Sequence, residues 1–211
     1  GSSEDLEIGD PAIAVGSPLG LAGGPSVTVG VVSAFDRQVQ TGLDQALYGL
    51  IQTDAPITRG SSGGALVDAQ GRLIGITAAI GISDVGAEGL GFAIPVELVT
   101  VVTDQRIARG TADHPFLGIE GQTFFRQEAD GSVVPAGVLV ATVMPDTAAE
   151  AAGILAEDLI LSVQGEPLAT MEQLVVILRF YRVGEVVELA IDRGGERLTI
   201  PVTLMERPEG V

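Results

Sequence analysis

The amino-acid sequence lacks several residue types on which whole classes of function depend. It has 211 residues with no cysteine, no tryptophan and no lysine, and His114 is its single histidine. Without cysteine there is no disulfide, no thiol nucleophile and no thiolate metal ligand, and one histidine is too few for a multi-histidine metal site. Without lysine there is no phosphate-binding P-loop.

Basic residues are also few. Eleven arginines stand against 28 aspartate and glutamate residues, which gives a formal net charge of −17. A surface of this sign repels phosphate backbones and anionic lipid headgroups, so we expect no nucleic-acid partner. The longest apolar run, residues 133–143, is interrupted by Pro135 and Gly137 and is too short to span a bilayer. We therefore expect no membrane insertion by this segment.

The sequence does have the apolar content of a folded core. Hydrophobic residues make up 46% of the chain and glycines number 29, which favours short strands with tight turns over a helical bundle. Six candidate strands predict a small antiparallel barrel. These strands are Ala12–Gly16, Val27–Phe35, Leu50–Thr53, Ala65–Asp68, Arg72–Ala79 and Leu90–Ile94. A helix is predicted over Val96–Arg109, between Pro95 and Gly110.

Beyond a short linker at residues 111–115 the pattern changes to that of an α+β domain. The candidate strands are Phe116–Glu120, Gly137–Val143, Leu159–Gln164, Val186–Asp192 and Glu196–Leu204. A short helix is predicted over Thr147–Ala152, and a longer one is capped by Thr170 and runs through Arg182.

The stretch Gly60-Ser61-Ser62-Gly63-Gly64 carries the chemical signal. A serine nucleophile needs backbone N–H donors aimed at the oxyanion, and flanking glycines let a substrate backbone approach closely. The pattern also matches a nucleophile elbow, but an elbow needs a helix after the serine, and here a strand pair follows. Taken alone, the stretch is equally typical of a glycine- and serine-rich surface turn.

The residues around this stretch separate these alternatives. Residues 51–66, IQTDAPITRGSSGGAL, resemble the nucleophile segment of the HtrA/Deg family of trypsin-like serine proteases. Three further stretches fit that family in order: Ile8–Gly20, Val29–Ser33 and Gly89–Pro95. Residues from about 111 onward resemble the PDZ domain that follows the protease, through Phe116–Ile119, Ala149–Ile154 and Asp158–Ile160.

This resemblance implies the fold and the domain organisation. It implies a mainly β chain, with a trypsin-like antiparallel β-barrel (one of the usual two) at residues 1–111 and an α+β PDZ domain at residues 112–211. The complete protein would be a serine endopeptidase acting on misfolded or unfolded proteins. The family acts in extracytoplasmic compartments such as the bacterial periplasm, and membrane anchoring would use a segment that precedes this sequence. No cofactor or metal is implied.

The resemblance also assigns roles to individual residues of the barrel. Ser62 matches the acylating nucleophile, and the backbone N–H groups of Gly60 and Ser62 match the oxyanion hole. Ile57, Ile80 and Leu90 match the primary specificity pocket, and three apolar residues there would favour small or medium aliphatic residues before the scissile bond. Without the resemblance, the same three residues are typical of an ordinary barrel core.

The chain departs from the family pattern in its catalytic residues, and this departure bears on its activity when it is alone. In the family, the catalytic His and Asp lie in an N-terminal barrel that precedes this sequence, and residues 1–110 contain no histidine. His114 lies in the linker and would have to fold back over the barrel to serve as the base. We therefore predict that this chain alone is inactive. The alternative is a non-enzymatic peptide-binding module with a vestigial half-barrel.

Residues 113–211 are expected to bind extended peptides at their free C-termini. PDZ domains add the ligand as a strand at a sheet edge, and a short loop holds the terminal carboxylate through backbone N–H groups. That loop matches Phe116, Leu117, Gly118 and Ile119. The helix after Thr170 would form the other wall, with Leu174 in the core and either Val175 or Leu178 in the groove. His114 lies where family members often carry arginine.

A single barrel of a two-barrel protease leaves the face of the cleft open to water. Because exposed apolar patches promote association, we predict either self-association through this face or a disordered loop around residues 54–62.

Overall fold

A computed structural model describes residues 1–17, 24–40, 46–58, 60–80 and 90–208, with the side chains of residues 79 and 80 excepted. The chain divides into two compact units, Gly1–Gly110 and Thr111–Val211. Among the described residues, no helix has the length and apolar character needed to cross a membrane. The same part of the chain contains no cluster of three or more His, Cys, Asp or Glu side chains placed to hold a metal ion.

The first unit is a closed antiparallel β-barrel followed by a helix, as the sequence predicts. Its strands, joined in the order β1-β2-β3-β6-β5-β4, are β1 (Pro11–Gly16), β2 (Ser26–Gln40), β3 (Ala46–Thr53), β4 (Ala65–Val67), β5 (Leu73–Ile80) and β6 (Gly91–Pro95). Small and branched aliphatic side chains fill the core: Ala12, Ala14, Val32, Ile51, Ala55, Ile57, Leu66, Ile74 and Ala93. Aromatic side chains contribute little to this cluster, against which Phe35 packs, and small aliphatic side chains suit the narrow interior of a six-stranded barrel.

The helix α1 (Val96–Arg109) has the predicted bounds. Pro95 precedes it, and Gly110 ends it in the left-handed conformation (φ 80°), where the N–H of Gly110 donates to the carbonyl of Arg106. At its first turn, Glu97 accepts hydrogen bonds from the hydroxyl of Ser2 (3.0 Å) and from the backbone N–H (2.7 Å) and hydroxyl of Ser3. Burial alone would raise the pKa of Glu97, but these bonds outweigh it and hold that pKa below its ordinary value.

The second unit is an antiparallel sheet with one long helix. Its elements are β7 (Pro115–Phe116), β8 (Ile119–Gln127), β9 (Val133–Val143), α2 (Ala148–Ala151), β10 (Leu159–Val163), β11 (Glu166–Pro167), α3 (Met171–Leu178), β12 (Val186–Arg193), β13 (Glu196–Thr203) and β14 (Met205–Glu206). The main sheet has the order β13-β12-β10-β9-β8, with β11 paired to β10, and β14 pairs separately with β7. Strand β8 is therefore an edge strand. The mainly β fold class is thus confirmed for both units.

Several elements of the second unit differ from the sequence prediction. Helix α3 ends at Leu178 and not at Arg182, because the N–H groups of Arg179, Phe180 and Tyr181 each bond the carbonyl three residues earlier, at 3.0, 3.1 and 3.2 Å. This tightening ends the α-helical pattern. The strand predicted over Phe116–Glu120 is divided between β7 and β8, because Gly118 has a left-handed backbone (φ 88°) that interrupts the extended chain. Strands β8 and β9 also form a longer hairpin than predicted, which extends through exposed residues such as Arg126 and Val133.

Candidate functional site

The Ser62 loop, residues 60–64, is the last part of the connection between β3 and β4. The N–H of Ser61 donates to the carbonyl of Thr58, and the N–H of Gly64 donates to the carbonyl of Ser61, both at 2.9 Å. Gly60 (φ 95°) and Gly63 (φ 85°) have a left-handed backbone that other residues rarely adopt. The glycines on both sides of the serine pair therefore allow this loop shape.

The hydroxyl of Ser62 is exposed and donates to the carbonyl of Ala78 at 3.1 Å. The backbone N–H groups of Gly60 and Ser62 donate no hydrogen bond to any residue that the structure describes. An exposed serine hydroxyl and N–H groups without a partner, in one loop, are two of the components that acyl transfer requires, and a general base is the third. The only histidine of the sequence, His114, belongs to the other unit, so the first unit supplies no imidazole base.

The backbone of strand β1 packs closely against the backbone of this loop. A side-chain carbon at Gly64 would lie 2.3 Å from the carbonyl oxygen of Val15, and one at Gly16 would lie 3.2 Å from Cα of Ser61. Gly64 thus has no room for a side chain, and this glycine keeps the loop against the barrel.

The predicted pocket residues are only partly described. Ile57 is buried, with 7% of its surface exposed, and a side-chain carbon at Gly91 would lie 2.6 Å from its Cδ1. Leu90, next to Gly91, is half-buried. The backbone of Ile80 pairs with Gly91, but the side chain of Ile80 lies outside the described part of the chain. The structure therefore brings Ile57 and the backbone of residues 80 and 91 together.

The segment that carries Ile57 is tied to strand β2 at two points. The carboxylate of Asp54 accepts from the N–H of Val31 at 2.7 Å, and the hydroxyl of Thr28 donates to the carbonyl of Pro56 at 2.8 Å. Between these points, a side-chain carbon at Gly30 would lie 2.3 Å from the nitrogen of Ala55. This close approach holds the segment in place beside the Ser62 loop.

In the second unit, Leu117 and Gly118 form the loop that precedes β8. The carbonyl of Leu117 accepts from the N–H of Ala149 at 2.7 Å, and the carbonyl of Gly118 accepts from the N–H of Met144 at 2.9 Å. Both loop residues are buried, yet their own N–H groups donate to no residue in the described part of the chain. Backbone N–H groups without a partner, just before an edge strand, can bind an anionic group.

Helix α3 packs against this edge strand and against β9. The N–H of Met171 donates to the hydroxyl oxygen of Thr123 at 3.1 Å. Val175 is half-buried, whereas Leu178 is 6% exposed and Leu174 is 1% exposed, and both leucines belong to the core of the unit. The core position predicted for Leu174 is thus observed, and the groove roles of Val175 and Leu178 stay predictions.

Sequence reasoning missed a cation near the loop. The guanidinium carbon of Arg207 lies 5.8 Å from the centre of the Phe116 ring, and the N–H of Arg207 donates to the carbonyl of His114 at 3.0 Å. His114 itself is exposed, and its N–H donates to the carboxylate of Glu206 at 3.1 Å. The pairing of β14 with β7, which no local pattern shows, brings this arginine to Phe116.

A buried ion pair supports the sheet of the second unit. Asp158 is 1% exposed and accepts two bonds from the Arg193 guanidinium, both at 2.7 Å, and one from the N–H of Leu155 at 2.8 Å. Burial alone would raise the pKa of Asp158, but the bonds from Arg193 and Leu155 outweigh it and hold that pKa below its ordinary value.

Comparison with known families agrees with both halves of this description. Residues 1–76 match the trypsin-like peptidase domain family, and residues 96–204 match the PDZ domain family. The periplasmic serine endoprotease DegP of Salmonella typhimurium is 40% identical over 207 residues, which are 97% of this chain and 42% of DegP. The periplasmic pH-dependent serine endoprotease DegQ of Escherichia coli is 39% identical over 205 residues, 96% of this chain and 44% of DegQ. The chain thus spans less than half the length of these two relatives.

A solved structure of the HtrA-type protease AlgW with a tripeptide superposes on the chain with a TM-score of 0.77. Its sequence is 35% identical, and the match covers 99% of this chain and 68% of AlgW. The family predicted from the motifs around Ser62 and Gly118 is therefore confirmed. The chain belongs to the HtrA/Deg family of trypsin-like serine proteases that carry a PDZ domain.

Proposed function

We propose that the first unit is the C-terminal barrel of a serine endopeptidase and that Ser62 is its nucleophile. The observation that carries the proposal is the Ser62 loop, where an exposed hydroxyl stands beside two N–H groups that bond to no described residue. The N–H groups of Gly60 and Ser62 would form the oxyanion hole. Ile57, Ile80 and Leu90 would line the pocket for a small or medium aliphatic residue before the scissile bond.

The chain by itself should have no peptidase activity. A serine hydroxyl is a poor nucleophile without a neighbouring base, and the loss of triad members lowers the rate about 10⁴-fold or more. The test is incubation of the 211-residue chain with unfolded casein and with a fluorophosphonate probe. We expect intact casein and negligible labelling, and rapid labelling of Ser62 in the absence of added base would contradict this proposal.

We propose that the second unit is a PDZ domain that binds the free C-termini of extended peptides. The unused N–H groups of Leu117 and Gly118 would hold the terminal carboxylate, and the peptide would extend edge strand β8 opposite α3. The solved AlgW structures with a tripeptide and a decapeptide support this assignment, because they contain peptides bound to a related HtrA-type protease.

The substrates of the complete protein would be unfolded proteins in an extracytoplasmic compartment. DegP and DegQ are both named periplasmic serine endoproteases, and this supports the compartment. The chain would either self-associate through the face of the cleft, near Ile57, Ile80 and Leu90, or have a disordered loop around residues 54–62, of which Arg59 lies outside the described residues. Sedimentation velocity tests self-association, and a monomer at all concentrations with that loop well ordered would contradict the proposal.

A second candidate is a peptide-binding module with a vestigial barrel, which the absence of histidine from residues 1–110 favours. Neither candidate predicts cleavage by this chain alone. The sequence encoded immediately before Gly1 discriminates between them, because a further six-stranded barrel with a His and an Asp would identify the enzyme.

A further inference from the structure

Thr77 in strand β5 makes an unusual set of contacts with the Ser62 loop. Its side chain is 1% exposed, so it lies in the barrel interior beneath the loop. Its hydroxyl donates to the carbonyl of Ser61 at 2.5 Å. Its backbone N–H donates to the carbonyl of Gly64 at 2.9 Å, and its carbonyl accepts from the N–H of Gly63 at 2.7 Å. One residue of the barrel therefore contacts three residues, Ser61, Gly63 and Gly64, that flank the proposed nucleophile Ser62.

The bond to Ser61 has a geometric consequence for Ser62. The carbonyl of Ser61 and the N–H of Ser62 belong to one planar trans peptide unit and point in opposite directions. The hydroxyl of Thr77 and the N–H of Gly64 both hold this carbonyl. The N–H of Ser62 must therefore point away from Thr77, to the side of the loop where it bonds no described residue.

We propose that Thr77 is a positioning residue that sets the direction of the Ser62 N–H and thereby one of the two oxyanion donors. This inference rests on the proposed role of Ser62 as the nucleophile. A preset donor stabilises the developing oxyanion without reorganisation during the reaction, and removal of one such donor lowers the rate about 10²- to 10³-fold. Thr77 touches neither substrate nor reacting atoms and acts only through the peptide unit it holds.

Two substitutions separate this role from simple filling of the core. Thr77→Val keeps the branched shape and removes the hydroxyl, whereas Thr77→Ser keeps the hydroxyl and removes a methyl group. If Thr77 only filled space, Thr77→Ser would be the more disruptive change, because it leaves a cavity. If the hydroxyl holds the peptide unit, Thr77→Ser preserves the direction of the Ser62 N–H and Thr77→Val does not.

The reactivity test uses the 211-residue chain with free imidazole, which supplies the base that the first unit lacks. In this reaction the oxygen of Ser62 attacks the phosphorus of a fluorophosphonate, fluoride leaves, and the serine proton passes to imidazole. We expect labelling of the unmodified chain and Thr77→Ser at similar rates, labelling of Thr77→Val at least about tenfold slower, and no labelling of Ser62→Ala. Equal rates for Thr77→Val and Thr77→Ser would overturn the positioning role.

A second measurement, of structure and not of reactivity, tests the role of Thr77 separately from the role of Ser62 as the nucleophile. The residual dipolar coupling of the Ser62 N–H, measured against those of β4 and β5, reports its direction. We expect the coupling to be unchanged in Thr77→Ser and changed in Thr77→Val, and an unchanged coupling in Thr77→Val would overturn the inference. If imidazole gives no labelling of the unmodified chain, the nucleophile proposal fails, and this coupling still decides the role of Thr77.

Discussion

Gly118 occupies the most crowded glycine position of the second unit. A side-chain carbon there would lie 2.2 Å from Cβ of Thr147, and its backbone is left-handed, with φ 88°. Since Thr147 is buried, neither residue has room to move. The loop of Leu117 and Gly118 therefore depends on a residue without a side chain.

We predict that Gly118→Ala lowers the free energy of unfolding of the second unit by at least about 3 kcal/mol and abolishes peptide binding. Gly131→Ala is the matched control, because Gly131 has a similar φ of 86° with no atom within 4 Å of the added carbon. The control should cost only the backbone strain, about 1 kcal/mol. Urea unfolding followed by circular dichroism measures both, and an equal cost for the two variants would contradict the steric explanation.

The ion pair between Asp158 and Arg193 gives a pH-dependent prediction. Because the folded state lowers the pKa of Asp158, its contribution to stability is fully present above the pKa of an unfolded aspartate, about 3.9. That contribution is lost as the pH falls through the lower folded-state pKa. We predict that Asp158→Asn costs about 2 kcal/mol at pH 7 and that this cost shrinks below about pH 4.

Urea unfolding at pH 7, 5 and 3 tests this prediction. Asp192→Asn is a suitable control, since Asp192 lies 3.9 Å from Arg197, whose side chain is 74% exposed, and exposed pairs contribute little. A cost of Asp158→Asn that stays the same from pH 7 to pH 3 would show that its carboxylate charge does not stabilise the unit.

For single residues, the sequence predicts Ser62 as the candidate nucleophile but does not predict the residues that hold its loop. Ser62 lies in a local run of glycines and serines with a characteristic context, so its pattern is complete within a few positions. Thr77 is sixteen positions from Ser61 and reaches it only because β4 pairs with β5. Arg207 is brought to Phe116 by a strand pair of the same kind. Contacts that depend on tertiary register have no local signal in a single sequence.

Among the elements, helix α3 combines a local stabilising contact with a proposed role in peptide binding. Thr170 precedes the helix, and its hydroxyl oxygen accepts from the N–H of Gln173 at 3.2 Å. The contact between Met171 and Thr123 then fastens the start of the helix to edge strand β8. Loss of the cap should therefore weaken both the helix and the wall of the groove.

We predict that Thr170→Ala lowers the stability of the second unit by about 1 kcal/mol, while Thr170→Ser has a much smaller effect. Peptide affinity should fall in parallel in the alanine variant. Thermal unfolding and calorimetric titration measure the two effects. If Thr170→Ser is as destabilising as Thr170→Ala, the hydroxyl cap is not the stabilising contact.

The elements also show where sequence patterns succeed. All six barrel strands are predicted, because each carries aliphatic residues bounded by glycine, proline or aspartate, but β2 continues to Gln40 and β3 begins at Ala46, beyond the predicted bounds. Helix α1 has correct bounds because Pro95 and Gly110 mark both ends. The end of α3 is missed because the apolar pattern continues to Tyr181 after the hydrogen bonds have tightened. End positions that depend on the last turn are the least visible in sequence.

For the whole molecule, peptide binding by the second unit and the absence of cleavage by the first can be tested on one chain. The second unit has unused N–H donors at Leu117 and Gly118, and the first unit has an exposed serine without an imidazole. We therefore propose that this chain binds the free C-terminus of a peptide and does not cleave the peptide. The net charge of −17 does not favour an anionic ligand in general, so binding must come from the specific loop.

The most direct test is calorimetric titration of the chain with a decapeptide that ends in aliphatic residues, supplied as the free acid and as the C-terminal amide. We predict saturable binding of the free acid and at least about tenfold weaker binding of the amide, because the carboxylate accepts charge-assisted hydrogen bonds. Mass spectrometry of the recovered peptide should show it intact. Equal affinity for the two forms would contradict recognition of the free carboxylate, and cleavage of either peptide would contradict the proposed inactivity of this chain.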